Sequence, residues 1–220
     1  MKIAIDGPAG AGKSTIARKI ASELGFVYID TGAMYRALTW EALNKGINTN
    51  DAAALQKLAL SSDIHFENGQ QIYCNNINVT SDIRLPRITE AVSGVASHPA
   101  VREIMVEKQQ DMALTADIVM DGRDIGECVL PDAEYKFFIT ASIEERARRR
   151  MKELQAKGIA CDLQEIKNAR SDLTIATRDQ SDMQRPTGAL KILDDSIIID
   201  TSNLSIDEVA ARLYAIIREG

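Results

Sequence analysis

The amino-acid sequence predicts an α/β protein with a doubly wound, parallel, five-stranded sheet flanked by helices. Two observations support this fold class. Five short apolar segments alternate with amphipathic helical segments along most of the 220 residues, as expected where crossover helices join parallel strands. A glycine-rich turn separates the first apolar segment from the first helical one, where such folds commonly bind a ligand. The length suits a single domain over residues 1–220.

Hydrophobic spacing predicts the elements at the start of the chain. Ile16, Ile20 and Leu24 recur four residues apart and share one helix face. Gly25 stands where a glycine commonly ends a helix. The predicted elements are a strand at 3–6, a helix at 13–24, a strand at 26–30, and helices at 34–43 and 51–60.

The pattern changes after residue 60, where strand-like segments follow one another without helices. Asn68-Gly69 and Asn75-Asn76 have the composition of two-residue hairpin turns. We therefore predict a small antiparallel insert over about residues 61–85, outside the main sheet. Its three short strands are predicted at 63–67, 71–75 and 77–80.

Helix and strand signals alternate again after the insert. Ser142 with Glu145, and Ser205 with Glu208, are capping boxes that open helices. The polar stretch 158–195 has helical pieces and is predicted to cover a site at the carboxyl ends of the strands. The other predicted elements are helices at 86–96 and 99–114, each with a proline in its first turn, and strands at 117–121, 135–140 and 196–200.

Composition and charge exclude several function classes. The formal net charge is -6 and aromatic residues make up 5%, which argues against a nucleic-acid groove. No apolar run reaches the ~20 residues of a membrane-spanning helix, and the N-terminus does not resemble a signal peptide. Cys74, Cys128 and Cys161 lack metal-site spacing. We expect a soluble cytoplasmic monomer that binds neither membrane nor nucleic acid.

The segment from Gly7 to Ser14, GPAGAGKS, matches the phosphate-binding pattern G-x-x-x-x-G-K-[ST]. Glycines let the backbone curl so that its N–H groups point at a phosphate, and the following helix adds its positive end. Lys13 would reach the β- and γ-phosphates, and the Ser14 hydroxyl would ligate Mg²⁺. This loop predicts an ATP site formed by Gly7, Pro8, Ala9, Gly10, Ala11, Gly12, Lys13, Ser14 and Thr15.

Three further motifs follow strands or lie in the covering segment. They are DTGAMYR from Asp30, DGRDIG from Asp121, and RDQSDMQR from Arg178. Together with the phosphate-binding loop they resemble the bacterial-type cytidylate kinases, from Met1 to about Leu213. This resemblance implies a P-loop NTPase fold with a nucleoside-monophosphate insert and a helical lid. The implied division is a core of about 1–60, 86–157 and 190–220, the insert at 61–85 and the lid at about 158–189.

The resemblance also implies an activity, the transfer of the γ-phosphoryl group of ATP to CMP or dCMP with Mg²⁺. Lys13, Arg123, Arg178 and Arg185 would be catalytic, because positively charged groups offset the repulsion between two polyphosphates. Asp124 can accept a hydrogen bond from the cytosine amino group, which uracil lacks. The implied CMP-binding residues are Thr31, Tyr35, Arg36, Ser93, Arg102, Arg123, Asp124, Arg178, Asp182 and Arg185.

Several interpretations remain open from the sequence. The arginine run 146–150 is either a solvated helix face or a donor site in which Arg146 meets adenine and Arg150 the triphosphate. Thr31 is a candidate helix cap, a role that does not exclude a base contact, and Asp182 would hold the ribose and is also able to brace Arg178. Asp121 would orient Mg²⁺ through water. The competing functions are a related kinase for UMP, AMP or another small acceptor, and a non-catalytic nucleotide-sensing module.

Overall fold

The computed structural model describes residues 1–67, 71–156 and 175–219. The first elements are β1 (Lys2–Asp6), α1 (Lys13–Leu24), β2 (Val27–Asp30), α2 (Thr31–Asn44), α3 (Ala52–Ser61), β3 (Ile64–Glu67), β4 (Gln71–Cys74) and β5 (Ile77–Asn78). They are followed by α4 (Pro86–Val95), α5 (Pro99–Met112), β6 (Ile118–Asp121), β7 (Tyr135–Thr140), α6 (Ile143–Ala156), α7 (Ile175–Met183), β8 (Ile197–Asp200) and α8 (Ile206–Glu219). A 3₁₀ turn at Asp82–Arg84 and a π-helical turn at Ile125–Val129 complete the described elements.

Five strands form one parallel sheet in the order β2-β6-β1-β7-β8, which confirms the predicted fold class. The register places Ile5 of β1 and Asp30 of β2 beside Asp121 of β6. The carboxyl ends of three neighbouring strands therefore meet at one edge. Because each strand ends in an aspartate there, this edge collects Asp6, Asp30 and Asp121.

Successive side chains of the central strands point to opposite faces, and each face carries its own core. Ile5 and Val119 pack with α1 and α8 on one face. Ala4 and Met120 pack with α2, α4 and α5 on the other, and this second core continues into the insert through Ile72. The insert is thus anchored to helices α2, α4 and α5 on this face of the sheet.

The insert is the predicted three-stranded antiparallel sheet, in the order β3-β4-β5, although its strands are shorter than predicted. Asn75 and Asn76 both have positive φ, 50° and 63°, as a two-residue hairpin turn requires. The other predicted turn, Asn68-Gly69, lies outside the described residues.

Helix α2 begins at Thr31, three residues before the predicted start. The Asp30 side chain caps it by accepting a hydrogen bond from the Ala33 amide at 2.8 Å, so the alternative that made Thr31 the cap is wrong. Helices α4 and α5 end slightly earlier than predicted, at Val95 and Met112. The first half of the predicted lid lies largely outside the described residues, and its second half contains α7. Among the described residues, no helix is long and apolar enough to cross a membrane.

Candidate active site

The glycine-rich loop follows β1 directly and leads into α1. Gly7 leaves the strand where a Cβ atom would lie 2.0 Å from the Ile139 carbonyl oxygen, so only glycine fits there. Gly12 has φ 93° and precedes the first residue of the helix, Lys13. The Lys13 ammonium group is buried and donates to the Pro8 carbonyl oxygen at 2.9 Å. Burial, followed by the charge of Arg123, lowers the pKa of Lys13.

The other loop residues differ in exposure. Pro8, Ala9 and Ala11 are buried, whereas Gly10 and Thr15 are exposed. The Ser14 hydroxyl on the first turn of α1 is half-buried and points back toward the sheet edge.

Asp121 at the end of β6 is held by two hydroxyl groups. Ser14 Oγ donates to Asp121 Oδ2 at 2.8 Å, and Tyr28 Oη donates to Asp121 Oδ1 at 2.7 Å. Burial and the neighbouring Asp30 raise the pKa of this carboxyl group, while Lys13 and the two hydrogen bonds oppose the shift. Both carboxylate oxygens are therefore oriented before any ligand binds.

Helix α6 contacts the glycine-rich loop through two of its four arginines. The buried Arg146 donates to the Ala9 carbonyl oxygen at 3.0 Å and pairs with Asp179 of α7 at 2.5 Å. Asp179 Oδ1 in turn accepts from the Ala9 amide at 3.2 Å. Arg149 donates to the carbonyl oxygens of Ala11 at 3.2 Å and Thr201 at 2.7 Å. These contacts tie α6 and α7 to the loop.

The arginine run is therefore only partly the solvated face allowed by the sequence. Arg148 is exposed and pairs with Glu145, while Arg150 is half-buried and pairs with Glu153. The predicted contacts of Arg146 with adenine and of Arg150 with the triphosphate remain predictions.

A second group of charged residues surrounds the turn after β6. Arg102 of α5 is 2% exposed and forms a buried ion pair with Asp124. Its guanidinium lies 5.5 Å from the centre of the Tyr35 ring. Arg123 Nε pairs with Asp182 Oδ2 at 2.6 Å, and Arg185 pairs with the other oxygen of the same carboxylate. Asp182 thus joins α7 to the turn after β6, and its charge also acts on Arg178, the residue that it was predicted to brace.

Arg36 and Arg178 bring two more cations to this group. Arg36 donates to Ile83 and Thr89 at 3.2 and 2.9 Å. Burial, followed by the charges of Arg178 and Arg84, lowers the pKa of Arg36 to about 9. Burial and Arg123 lower the pKa of Arg178 to about 10. Both remain protonated at neutral pH, so the site holds several cations close together at an electrostatic cost that a bound anion would relieve.

Two predicted acceptor residues make no hydrogen bond to the charged side chains of this group within the described residues. Thr31 Oγ1 donates to the Asp121 carbonyl oxygen at 2.7 Å. Ser93 is half-buried on α4, and its hydroxyl forms no hydrogen bond within the described part of the chain.

Four buried polar atoms of the predicted site lack a hydrogen-bond partner within the described residues. Buried donors are nearly always paired in folded proteins, so an unpaired set in one site indicates a missing ligand. The four atoms are Tyr35 Oη, Arg102 Nε, Arg178 Nε and Arg185 Nε.

The structure also reveals residues that the sequence analysis missed. Asp6 accepts from the backbone amides of Ile125 and Gly126 at 2.9 and 2.8 Å, which fixes the turn carrying Arg123 and Asp124. Burial raises the pKa of Asp6 to about 6. The sequence signal for this role of Asp6 is weak: an aspartate at the end of an apolar strand. Tyr28, Arg149, Asp179 and Gly188 have no recognisable signal in their local sequence.

The fold and this site define the class of the protein as a P-loop kinase. Solved structures with the same fold include an uncharacterised protein from Eubacterium ventriosum, with TM-score 0.51 and 14% identity over 100% of this chain and 99% of that one. Another is a shikimate kinase from Bacteroides thetaiotaomicron, with TM-score 0.50 and 13% identity over 99% and 98% of the two chains.

The chain belongs to the cytidylate kinase family, whose model matches residues 3–219. It is 51% identical over 216 residues to the cytidylate kinase of Listeria monocytogenes, covering 97% of this chain and 94% of that protein. It is 48% identical over 219 residues to the cytidylate kinase of Caldanaerobacter subterraneus subsp. tengcongensis, covering 100% and 95%. The family predicted from the sequence motifs is confirmed.

Proposed function

We propose that this protein transfers the γ-phosphoryl group of ATP to the phosphate of CMP or dCMP, giving ADP and CDP or dCDP. The observation that carries the proposal is the set of four buried donors in the predicted site that lack a hydrogen-bond partner within the described residues. All four belong to residues predicted to bind the acceptor nucleotide, on α2, α5, α7 and the turn after it. An acceptor nucleotide would supply the oxygens that these donors lack.

The charge pattern supports two anionic substrates. The charge of Arg123 lowers the pKa of Lys13, and the charges of Arg123 and Arg150 lower the pKa of Arg178, so these cations lie close enough to repel one another. Positive groups held together at the carboxyl edge of the sheet offset the repulsion between the donor and acceptor phosphates. They also stabilise the charge that spreads over the phosphoryl group during transfer.

The residues at the loop fit a magnesium ion. Ser14 and Asp121 present oxygen atoms 2.8 Å apart, and oxygen is the ligand type that Mg²⁺ prefers. We assign Ser14 to the ion and Asp121 to its orientation. When bound with ATP, Mg²⁺ neutralises charge on the β- and γ-phosphates.

The chain needs no general base for this reaction. The second pKa of a phosphate monoester is about 6, so its oxygen is already mostly anionic at neutral pH. The protein's task is to hold the two phosphates in line and to exclude water, which would otherwise accept the phosphoryl group. Asp179 bonds to the glycine-rich loop and Asp182 to Arg123, and these two contacts hold α7 at the proposed phosphate site.

Selection of cytosine is assigned to the Arg102–Asp124 pair. Arg102 pairs with Asp124 Oδ2, and we assign the remaining acceptor capacity of this carboxylate to a hydrogen bond from the 4-amino group of cytosine. Uracil has a carbonyl oxygen at that position. This oxygen and the carboxylate are both acceptors, so no hydrogen bond could form between them. Buried polar groups left unpaired in this way discriminate strongly between similar ligands.

The test is a coupled assay of ADP formation with ATP and equal concentrations of CMP, dCMP, UMP or AMP. We expect turnover with CMP or dCMP to exceed turnover with UMP and AMP by at least tenfold, which corresponds to about 1.4 kcal/mol. Equal rates with UMP would refute the assignment of Asp124. Binding of ATP without transfer to any of the four acceptors would refute the catalytic proposal.

A further inference from the structure

Gly188 lies directly over the Arg102–Asp124 pair. The residue is buried and has φ +62°, in the left-handed region that favours glycine. A Cβ atom at this position would lie 2.2 Å from Arg102 Nη2 and 2.3 Å from Asp124 Oδ2. Both distances are far inside van der Waals contact, so the backbone reaches the ion pair only because residue 188 has no side chain.

The turn that carries Gly188 is attached to α7. The Leu190 amide donates to the carbonyl oxygen of Asp182 at 2.9 Å, and Leu190 is buried. The Asp182 carboxylate binds Arg123 and Arg185. The backbone over the base-selecting pair is therefore linked, through Leu190 and Asp182, to the arginines proposed to act on the phosphates.

We propose that Gly188 is a specificity-determining residue that couples recognition of the acceptor base to closure over the phosphates. The proposal rests on the function proposed above. Close approach of the backbone at Gly188 shields the Arg102–Asp124 pair from water, and hydrogen bonds to a shielded carboxylate are stronger than those in water. A base that fits the pair holds the turn in place, and the turn holds α7. A base that displaces Asp124 pushes this carboxylate against Gly188 and weakens the contacts that hold the turn and α7.

The main test compares Gly188→Asn with Gly46→Asn. Asparagine tolerates the left-handed conformation, as Asn75 and Asn76 show in this chain, so the exchange adds a side chain with little backbone strain. Gly46 has φ +66°, and a Cβ atom added there would have no neighbouring atom within 4 Å. This control is therefore matched in conformation but lies in open space.

We expect Gly188→Asn to raise KM for CMP about tenfold or more, with KM for ATP changed less than about twofold. The ratio of kcat/KM for CMP to that for UMP should fall about fivefold, because Asp124 is displaced from the base. Gly46→Asn should leave all of these values unchanged. Unchanged KM for CMP and unchanged base preference in a folded Gly188→Asn protein would overturn the proposal. An equal rise in KM for both substrates would also overturn it, because that result indicates a general disturbance of α7.

A second measurement uses the wild-type protein and does not depend on the variant folding. Amide hydrogen exchange is followed in peptides that contain residues 188–190, with CMP or UMP added at equal fractional occupancy. The proposal predicts slower exchange with CMP than with UMP. Equal exchange with the two nucleotides would overturn it. Failure of the wild-type protein to phosphorylate CMP would instead refute the proposed function, so the two failures are distinguishable.

Discussion

The donor and acceptor halves of the site are built in different ways. The proposed donor half is mainly one continuous loop, from Gly7 to Ser14, whose backbone and single lysine are predicted to bind the phosphates of ATP. The acceptor half collects side chains from α2, α5, the turn after β6, and α7, and buried ion pairs such as Arg102–Asp124 join them. Phosphate binding can therefore be encoded in eight consecutive residues, whereas base selection depends on long-range packing. Substitutions in the two halves should have separable effects on the two substrates.

The largest effect should come from removing the loop cation. Lys13→Ala should lower kcat by about 10³-fold, because it removes the one positively charged side chain of the glycine-rich loop itself. Stability should be unchanged or slightly higher, since the buried ammonium group is costly to desolvate. Steady-state kinetics and thermal unfolding check both expectations, with the exposed Lys19→Ala on the same helix as control. Unfolding of Lys13→Ala would contradict a purely functional role for the lysine.

Asp124→Asn should act on the acceptor half alone. The amide oxygen can still accept from Arg102, but the amide N–H₂ group then faces the cytosine amino group. We expect kcat/KM for CMP to fall about 10²-fold, with KM for ATP unchanged. Asp132→Asn, at an exposed position, is the control. A defect confined to ATP would show that the base is read elsewhere.

Asp179→Asn tests a contact that belongs to the donor half although the residue lies on α7. Asparagine can still accept from the Ala9 amide, but its charge-assisted bond to Arg146 is lost. We expect kcat/KM for ATP to fall about tenfold, while calorimetric affinity for CMP in the absence of ATP changes little. Asp195→Asn, which removes a surface pair with Lys136, serves as control. A larger loss for CMP than for ATP would place Asp179 in the acceptor half.

Tyr28→Phe removes one hydroxyl group that orients Asp121. We expect the apparent affinity for Mg²⁺ in the reaction to fall about fivefold. Tyr28 holds Asp121 Oδ1, and this bond keeps the other carboxylate oxygen, Oδ2, directed at Ser14. Mn²⁺ binding followed by electron paramagnetic resonance should weaken in parallel. Tyr135→Phe removes a hydroxyl bonded to the Ile217 carbonyl oxygen and should change neither value. Equal effects of the two variants would contradict the assignment.

The smallest effect concerns Asp6, which connects the two halves. Burial raises the pKa of Asp6 from 3.8 to about 6. Between these two pH values the folded protein keeps a proton on Asp6 that the unfolded chain has released. Its contribution to the free energy of unfolding therefore decreases as pH rises, by about 0.7 kcal/mol between about pH 5.5 and 6.5. Urea unfolding across this range should show the decrease in the wild type and a smaller one in Asp6→Asn. If the free energy of unfolding of the two proteins depended on pH in the same way, the contribution assigned to Asp6 would be refuted.

The same contrast explains what the sequence could predict. The sheet, helix α1 and the phosphate-binding loop depend on local patterns of apolar residues and glycines, and these predictions are confirmed. The start of α2 was misplaced because Asp30 ends a strand and caps a helix at the same time, and the strand pattern obscured the cap. The role of Asp182 in holding the turn after β6 was missed for a related reason. Its partner Arg123 lies 59 positions away, and spacing along a helix reveals only neighbours such as Arg178 and Arg185.

The most direct measurement of the central claim is calorimetric titration of the wild-type protein and of Asp124→Asn with CMP and with UMP, in the absence of any donor. If the acceptor half reads the base by itself, the wild type binds CMP at least about tenfold more tightly than UMP, and the variant loses that preference. Equal affinity of the wild type for the two nucleotides, or an unchanged preference in the variant, would contradict the account.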